Sequence, residues 1–209
     1  MTLTDKDINS YKNNGYLTPK WKLPNSKLNL LKSHIDKIII DNPNIRPEQL
    51  VCPHIRGGTN GELNNMDHNF FLDLAYTREI IHMVSLILGK NLLLWGSQIF
   101  CKPAHDGMEV PMHQDSHYWP IKPMSTCSVW IAADQAMKIN GCLTVISGSH
   151  KDQTYEHIIK NNKTALNAGL PNQYIKNRSK NYIILKSGQM SLHHSNLIHG
   201  SEKNNSPYR

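Results

Sequence analysis

The sequence predicts a mainly β fold of the sandwich or jelly-roll type with flanking helices, and three observations carry this prediction. From Asn91 onward, short runs of β-branched and aromatic residues alternate with turns, as in antiparallel sheets. Helical periodicity is confined to the segment before them. The 209 residues, 39% apolar and 19% charged, suit a globular domain rather than a disordered chain. We therefore expect a single domain over 1–209, with a helical front over 1–90 and a jelly-roll core over 91–209.

Three helices are predicted in the front part. The first covers residues 4–14, because Thr4 and Asp7 have the spacing of a capping box and a glycine follows at the stop position. The second covers residues 26–41, where leucine and isoleucine recur at helical spacing, and the third covers 77–89. We expect these helices to cover one side of a sheet.

The strands are predicted in five runs of the second part. These runs are LLLWGSQIFCK, STCSVWIAA, CLTVIS, NYIILK and QMSLHHSNLIHG. A polar stretch over 150–180, rich in asparagine and lysine, interrupts the series and predicts an excursion between strands.

Composition narrows the classes of function. The longest nearly apolar stretch, residues 80–88, is about half of what a bilayer span needs, and the N-terminus lacks the apolar run of a secretory signal, so a cytoplasmic protein is expected. The net charge of +7 favours anionic partners, but no basic stripe interleaved with aromatics is present, which argues against nucleic acid. The four cysteines form no Cys-x-x-Cys pair and are expected as buried free thiols. Nothing in the sequence specifies an oligomeric state.

Two His-x-Asp triplets occur among the twelve histidines, a number that chance alone could produce. His34 and Asp36 lie on a predicted helix, where positions i and i+2 point about 200° apart and cannot share an ion. His113 and Asp115 lie in extended or turn-like surroundings, where i and i+2 project to the same side. Two histidines and one carboxylate form the ligand face of non-haem Fe(II) oxygenases, so this triplet requires one more histidine.

The third ligand must come from far along the chain. His193 and His194 would face opposite ways in a regular strand, so at most one points inward, and at least one is an ordinary polar residue at a sheet edge. His199 ends an apolar run and opens into a turn, as expected at a strand end over a site. Arg209 follows ten residues later and could offer a bidentate fork to a dicarboxylate.

Five motifs follow one another between residues 94 and 209, preceded by the front segment DINSYKNNGYL. They are LWGSQIFCKP, VPMHQDSHYWPI, SVWIAA, NGCLTVISGSH and the segment HGSEKNNSPYR. In this order the motifs resemble the phytanoyl-CoA dioxygenase family of Fe(II)- and 2-oxoglutarate-dependent oxygenases.

The resemblance implies a fold and a set of site residues. The implied fold is a double-stranded β-helix, the cupin-like jelly roll, and the implied iron ligands and catalytic residues are His113, Asp115 and His199. The resemblance further implies that the distal carboxylate of 2-oxoglutarate binds Arg209 with Ser201 beside it, and that the co-substrate pocket is lined by Gln98 and Trp130.

The same resemblance implies an activity. Family members use O2 to convert 2-oxoglutarate to succinate and CO2 while hydroxylating a substrate, and the retained carboxylate of Asp115 favours hydroxylation over halogenation. We expect a small-molecule substrate of acyl, amino-acid or phosphonate type, and an anionic one fits the net charge. The substrate side could include residues 117–119 and a loop over 52–65, with His54 or Arg56 meeting an anion, although packing or solvation is the plainer interpretation of each.

Two alternatives stay open. The sequence stops at Arg209, where family members usually continue, so a metal- or ligand-binding jelly roll with an impaired co-substrate site is the first. A cupin-type isomerase or hydrolase is the second, and it would require a further acid/base residue and no arginine for a dicarboxylate.

Overall fold

The computed structural model describes residues 2–51, 53, 67–160 and 163–209. In these ranges the helices are α1 (Asp5–Asn14), α2 (Asn25–Asp41), α3 (His68–Ala75) and α4 (Arg78–Leu88). The strands are β1 (Tyr16–Leu17), β2 (Leu50–Val51), β3 (Gln98–Ile99), β4 (Val110–His113), β5 (Cys127–Ile131), β6 (Leu143–Val145), β7 (Ile158–Ile159), β8 (Ala168–Gly169), β9 (Asn181–Tyr182), β10 (Met190–His194) and β11 (His199–Ser201).

The predicted helix ends are confirmed at α1. The Thr4 hydroxyl accepts a hydrogen bond from the backbone N–H of Asp7, while the Asp7 carboxylate accepts one from the backbone N–H of Thr4. The helix ends at Gly15, whose φ of 81° lies in the left-handed region that glycine adopts without strain. This capping satisfies backbone groups that a helix terminus otherwise leaves unpaired.

The other helices pack through single apolar faces. The buried residues of α2 are the predicted ones, Leu28, Leu31, Ile35 and Ile38. The helix α3 was not predicted, because its eight residues offer only two turns of periodicity; Asp67 begins it by accepting a hydrogen bond from the N–H of Phe70. Phe71 of α3 joins the core cluster that α2 forms, so the two helices share one hydrophobic core.

Two larger antiparallel sheets form the core of the β part, beside the two-stranded pairs β2-β3 and β7-β8, and the predicted jelly-roll class is confirmed. One sheet has the strand order β1-β10-β5 and the other β4-β11-β6-β9. Side chains from both sheets meet in one cluster, with Tyr16 and Trp130 from the first sheet and Leu143 and Val145 from the second. Since β1 comes from the front part, that part supplies sheet as well as helices.

The two faces of strand β10 have different surroundings: one faces the helices and the other faces the second sheet. Met190 and Leu192 are completely buried with α1 and α4 residues in one apolar cluster. By the alternation of a strand, Ser191 and His193 point the opposite way, into the space between the sheets. The helices therefore cover the outer side of this sheet, and the polar residues of β10 lie on its inner side.

The polar stretch over 150–180 returns to the second sheet. The antiparallel pair of β7 and β8 lies within it, and the N–H of Leu170 donates to the carbonyl of Met112 on β4 at 2.8 Å. The predicted excursion thus packs beside the strand that carries His113.

The described cysteines are free thiols, as predicted. Cys101 and Cys142 are buried and Cys127 is half-buried, all three as free thiols, and burial raises the pKa of Cys101 to about 12.

Of the predicted loop over 52–65, only residue 53 is described; Cys52, His54 and Arg56 lie outside the described residues. No helix within the described ranges combines the length and apolarity required to span a membrane.

Candidate metal centre

The pairing of β4 with β11 brings two histidines together from distant parts of the chain. His113 ends β4 and lies directly opposite His199, the first residue of β11. Gly200 makes this close approach possible, because a Cβ there would lie 2.7 Å from the carbonyl oxygen of Val110. Asp115 follows two residues after His113, at the start of a short 3-10 helix.

The side chains of these three residues converge. The distance to Asp115 Oδ1 is 3.4 Å from His113 Nε2 and 3.8 Å from His199 Nε2. All three potential ligand atoms lie within 4.8 Å of one another, and within the described part of the chain no other group of histidine, cysteine and acidic residues meets this condition. The exposed side-chain fractions are 5% for His113, 18% for Asp115 and 7% for His199, so the group opens to solvent on the carboxylate side.

Backbone carbonyls fix the orientation of both imidazoles. His113 Nδ1 donates to the carbonyl of Pro111, and His199 Nδ1 donates to the carbonyl of Leu197, each at 2.8 Å. Because a carbonyl only accepts, the proton of each neutral ring lies on Nδ1 and the lone pair lies on Nε2. This arrangement is the outer-shell support that metal-binding histidines have.

A hydroxyl from the facing sheet positions the carboxylate. Ser128 Oγ on β5 donates to Asp115 Oδ2 at 3.3 Å. The other oxygen, Oδ1, is thereby left toward the two imidazoles. Ser128 was not singled out from the sequence, where it is one small polar residue in an apolar strand.

The surroundings shift the pKa values of Asp115 and His199. Burial by itself would raise the pKa of Asp115, but the imidazoles of His199 and His113 outweigh it and hold the pKa well below its usual range. Burial, reinforced by His113, lowers the pKa of His199 to about 3. An ionised carboxylate and a neutral imidazole are the protonation states that metal ligation requires.

The residues predicted to contact the co-substrate differ in position: two point between the sheets and one is exposed. Trp130 and Ser201 are half-buried and lie on the strand faces that carry Ser128 and His199, so both point between the sheets. Gln98 is exposed on β3, opposite residue 51.

Arg209 is held in an ion-pair cluster. Its Nε donates to Asp134 at 2.8 Å, and its Nη1 donates to Asp36. Lys32 lies 3.4 Å from the same Asp134 carboxylate. In this arrangement the Arg209 guanidinium is already bonded to two carboxylates.

The prediction that His193 and His194 point to opposite sides is confirmed. His193 is buried with its ring centroid 4.8 Å from that of His199, whereas His194 is half-buried and its Nδ1 accepts from the N–H of Asn196. His193 therefore lies beside the candidate metal centre. The alternation of the strand is the signal that could have placed it there, but the sequence alone does not say which of the two points inward.

The second His-x-Asp triplet forms no common site, as predicted. His34 stacks on Phe70 with ring centroids 4.1 Å apart, while Asp36 pairs with Arg209. Two identical patterns thus have different outcomes because one lies on a helix and the other at a strand end.

Aromatic side chains form a rim next to the metal motif. His117 stacks on His157 with centroids 4.0 Å apart, and the ring of Tyr118 lies edge-on to His113 at 6.2 Å. Tyr118 also donates to the carbonyl of Ala168 at 3.1 Å, which joins this rim to β8.

Comparisons with known proteins agree with this architecture. The phytanoyl-CoA dioxygenase family model matches residues 11–209. Peroxisomal phytanoyl-CoA dioxygenase of Bos taurus is 31% identical over 135 residues, which are 61% of this chain and 40% of that protein. A probable alpha-ketoglutarate-dependent hypophosphite dioxygenase of Stutzerimonas stutzeri is 28% identical over 141 residues, 65% of this chain and 48% of that protein. The chain thus spans less than half the length of these two relatives.

Solved structures show the same fold at low sequence identity. The S. alaskensis EctD structure with bound Fe is 16% identical with a TM-score of 0.74, covering 99% of this chain and 73% of that one. The alpha-ketoglutarate-dependent carbocyclase SnoK is 16% identical with a TM-score of 0.75, covering 98% and 80% respectively. Because the family model matches nearly the whole sequence, the chain belongs to the phytanoyl-CoA dioxygenase family.

Proposed function

We propose that this chain is an Fe(II)- and 2-oxoglutarate-dependent dioxygenase that hydroxylates a small molecule. The observation that carries the proposal is the convergence of His113 Nε2, Asp115 Oδ1 and His199 Nε2 on one point between the sheets. Two imidazoles and one carboxylate leave the remaining coordination positions open for a co-substrate and O2. Family membership and the printed names of the relatives support the same activity.

The described residues fit the implied metal. A backbone carbonyl fixes the orientation of each imidazole through Nδ1, and the carboxylate is held by Ser128. Bound Fe(II) would supply the redox chemistry by which O2 oxidises 2-oxoglutarate to succinate and CO2 and leaves one oxygen atom in the hydroxylated product. The protein residues contribute orientation, ionisation and partial exclusion of water, since the two histidines are almost fully buried.

We also propose a small anionic metabolite as the substrate. The net charge of +7 favours anions in general, and phytanoyl-CoA and hypophosphite, for which the two relatives are named, are both anions at neutral pH. Tyr118 and His117 form the rim through which such a molecule would approach. A cytoplasmic location stays a prediction.

One observation favours the alternative of a metal-binding jelly roll with an impaired co-substrate site. The predicted ligand of the distal carboxylate, Arg209, is bonded to Asp36 and Asp134. A third carboxylate would have to share the guanidinium with these two partners, which accept from Nε and Nη1. The role of Arg209 in co-substrate binding therefore stays a prediction.

An anaerobic titration separates the two functions. Metal-free protein is titrated with Fe(II) and then with 2-oxoglutarate, and the visible charge-transfer band of the chelated keto acid is recorded. We expect a band in the wild-type protein and none in His113→Ala, followed by Fe(II)-dependent succinate formation in air. Bound iron without a band would contradict the dioxygenase and support the metal-binding alternative.

A further inference from the structure

The strand pairing that brings His113 and His199 together stops at these two residues. On one side of them the pairing of β4 with β11 continues to Val110 and Ser201, with a shift of register on the way. On the other side the pairing has no continuation, because β4 ends at His113 and β11 begins at His199. The backbone pairing of β4 with β11 therefore fixes the two histidines from one side only.

A buried amide side chain makes the connection where the strand pairing stops. Gln114 lies between His113 and Asp115, has an extended backbone and is completely buried, so its side chain points away from the face that carries the two ligands. Its Nε2 donates to the backbone carbonyl of Asn196 at 2.9 Å and to Asn196 Oδ1 at 3.0 Å. Asn196 belongs to the turn that leads into His199. The two amides thus join the two segments that carry the metal ligands.

The Asn196 side chain has a single possible orientation. Its Oδ1 also accepts from Ser116 Oγ at 2.7 Å and from Thr154 Oγ1 at 2.9 Å. Its Nδ2 donates to the backbone carbonyls of His150 and Asp152, at 3.0 and 2.6 Å. Because carbonyls only accept, the amide cannot turn over without the loss of both of these bonds. Asn196 is therefore a fixed partner for Gln114.

The polar excursion over 150–180 holds Gln114 from a second direction. Gln114 Oε1 accepts from the N–H of Tyr155 at 2.8 Å, and the Gln114 N–H donates to His157 Nε2 at 3.0 Å. His157 Nδ1 donates in turn to the Tyr155 carbonyl at 3.0 Å. The excursion therefore supplies a frame for the residue between the two ligands.

Another buried amide, Asn204, shows how the position of such a group matters. It is also completely buried, and its Nδ2 donates to the carbonyls of Lys102, Pro103 and Tyr208. These bonds join the segment after β3 to the end of the chain. Loss of either amide leaves buried polar groups unpaired, but only the bonds of Asn196 connect the ligand-bearing segments.

We propose that Gln114 and Asn196 are positioning residues of the metal centre, whose amide contact sets the separation between the His113–Asp115 segment and His199. The inference rests on the metal-dependent function proposed above and deepens it, since it assigns the support of the ligands to residues beyond the three that bind. Groups outside the ligand set that orient the ligands affect metal affinity by about 10- to 100-fold. The amide contact should therefore influence metal binding although neither amide binds the metal.

The test measures metal binding in the absence of a co-substrate. The full chain, freed of metal, is titrated anaerobically with Fe(II), and the visible d–d absorption of Co(II) bound in its place reports the ligand geometry. Gln114→Met and Asn196→Leu replace each amide by an apolar side chain of similar size. We expect each variant to weaken Fe(II) binding about 10- to 100-fold and to shift the Co(II) bands.

The double variant tests whether the two amides act as a pair. We expect its loss of Fe(II) affinity to be at least about fivefold smaller than the product of the two single losses, because both substitutions break the same contact. Single losses that simply multiply would show that the two residues act independently and would refute the pairing.

Asn204→Leu is the matched control. It should lower the midpoint of thermal unfolding of the metal-free protein, as Asn196→Leu does, but keep Fe(II) affinity within about twofold of wild type and the Co(II) bands in place. If Asn204→Leu and Asn196→Leu weaken Fe(II) binding equally, the effect is one of general stability and the inference is wrong.

Thr154→Val serves if the amide variants do not fold, because it removes a single donor to Asn196 Oδ1. We expect it to weaken Fe(II) binding about three- to tenfold, the equivalent of one hydrogen bond. Unchanged affinity in this variant would contradict the proposal.

Failure of this inference differs from failure of the dioxygenase function. Wild-type Fe(II) affinity and Co(II) bands in Gln114→Met and Asn196→Leu would overturn the inference and leave the dioxygenase function standing. Wild-type protein that binds Fe(II) but gives no charge-transfer band with 2-oxoglutarate would refute the dioxygenase function, and the affinities of the variants would still decide the inference. Wild-type protein that binds no Fe(II) would refute both.

Discussion

The metal centre and the Arg209 cluster both bring charged residues together from distant parts of the sequence, but only the first keeps its binding atoms free. In the metal centre, backbone carbonyls and Ser128 occupy the outer atoms of the imidazoles and the carboxylate. In the Arg209 cluster, Asp36 and Asp134 accept hydrogen bonds from the guanidinium itself, at Nη1 and Nε. A hydrogen bond to the outer atom of a side chain orients its binding atom, whereas an ion pair at the binding group itself competes with a ligand.

The side chains of the metal centre are also more buried than those of the Arg209 cluster. The three metal-centre side chains are 5–18% exposed. Arg209 is 30% exposed and its partners Asp36 and Asp134 are 51% and 34% exposed. Exposed ion pairs contribute little to stability, about 0–1 kcal/mol, and rearrange at little cost. The comparison teaches that the metal centre is fixed by the fold, whereas the Arg209 cluster is held by weak contacts that a ligand can replace.

Removal of a metal ligand should have the largest effect. We expect His113→Ala to weaken Fe(II) binding by at least about a hundredfold, since loss of an outer-shell partner alone costs up to that amount. The measurement is anaerobic Fe(II) titration, with far-ultraviolet circular dichroism to show that the fold is retained. His34→Ala, in the other His-x-Asp triplet, should leave Fe(II) affinity unchanged; equal affinity losses in both variants would contradict the assigned centre.

Removal of the hydroxyl that orients the carboxylate should have an intermediate effect. We expect Ser128→Ala to weaken Fe(II) binding about tenfold, because Asp115 Oδ2 loses its donor and the carboxylate can rotate. The same titration measures it. Ser128→Thr retains a hydroxyl and should recover most of the affinity. An unchanged Fe(II) affinity in Ser128→Ala would show that the fold orients Asp115 without this bond.

Removal of the two carboxylates that pair with Arg209 should have a smaller effect, on the affinity for 2-oxoglutarate. We expect Asp36→Asn combined with Asp134→Asn to strengthen 2-oxoglutarate binding about two- to fivefold, because exposed ion pairs of this kind are worth up to about 1 kcal/mol. The charge-transfer titration measures the change, and Fe(II) affinity should stay the same. Addition of Arg209→Ala should abolish the gain. If the double variant gains nothing, Arg209 does not contact the co-substrate.

Acid should act on the stability of the imidazole-rich region rather than on ligand affinity. Burial lowers the pKa of His157 to about 4, while an unfolded histidine titrates near about 6.5. Between these values the unfolded state binds a proton that the folded state does not, so the free energy of unfolding falls as the pH is lowered from about 6.5 to 4. Thermal unfolding of metal-free protein across this range measures the slope.

The matched variants for this slope come from both regions. His157→Gln retains an acceptor for the N–H of Gln114, which donates to His157 Nε2 at 3.0 Å. It should reduce the slope, and the remaining slope comes from His193 and His199, whose pKa values burial also lowers. Arg209→Ala should leave the slope unchanged. If His157→Gln and wild type have the same slope, protonation of His157 does not account for the loss of stability in acid.

A structural element could be predicted from the sequence wherever residues close together in the chain decide whether it forms. The capping box at Thr4 and the apolar face of α2 follow from contacts within one or two helical turns, and both are confirmed. The short helix α3 was missed because two turns give too weak a periodic signal. The β-rich second part was predicted as a class, but the predicted run LLLWGSQIFCK contains only the two strand residues of β3.

The sequence by itself determined the family, the alternating strands and the candidate set His113, Asp115 and His199, because motif order and residue spacing are local properties of the chain. Only the tertiary structure decided that His193 rather than His194 lies beside His199, that Ser128 holds Asp115, and that Arg209 pairs with two carboxylates. The reason is that strand register and the packing of one sheet on another join residues that are far apart in sequence, and no local pattern encodes which of them meet.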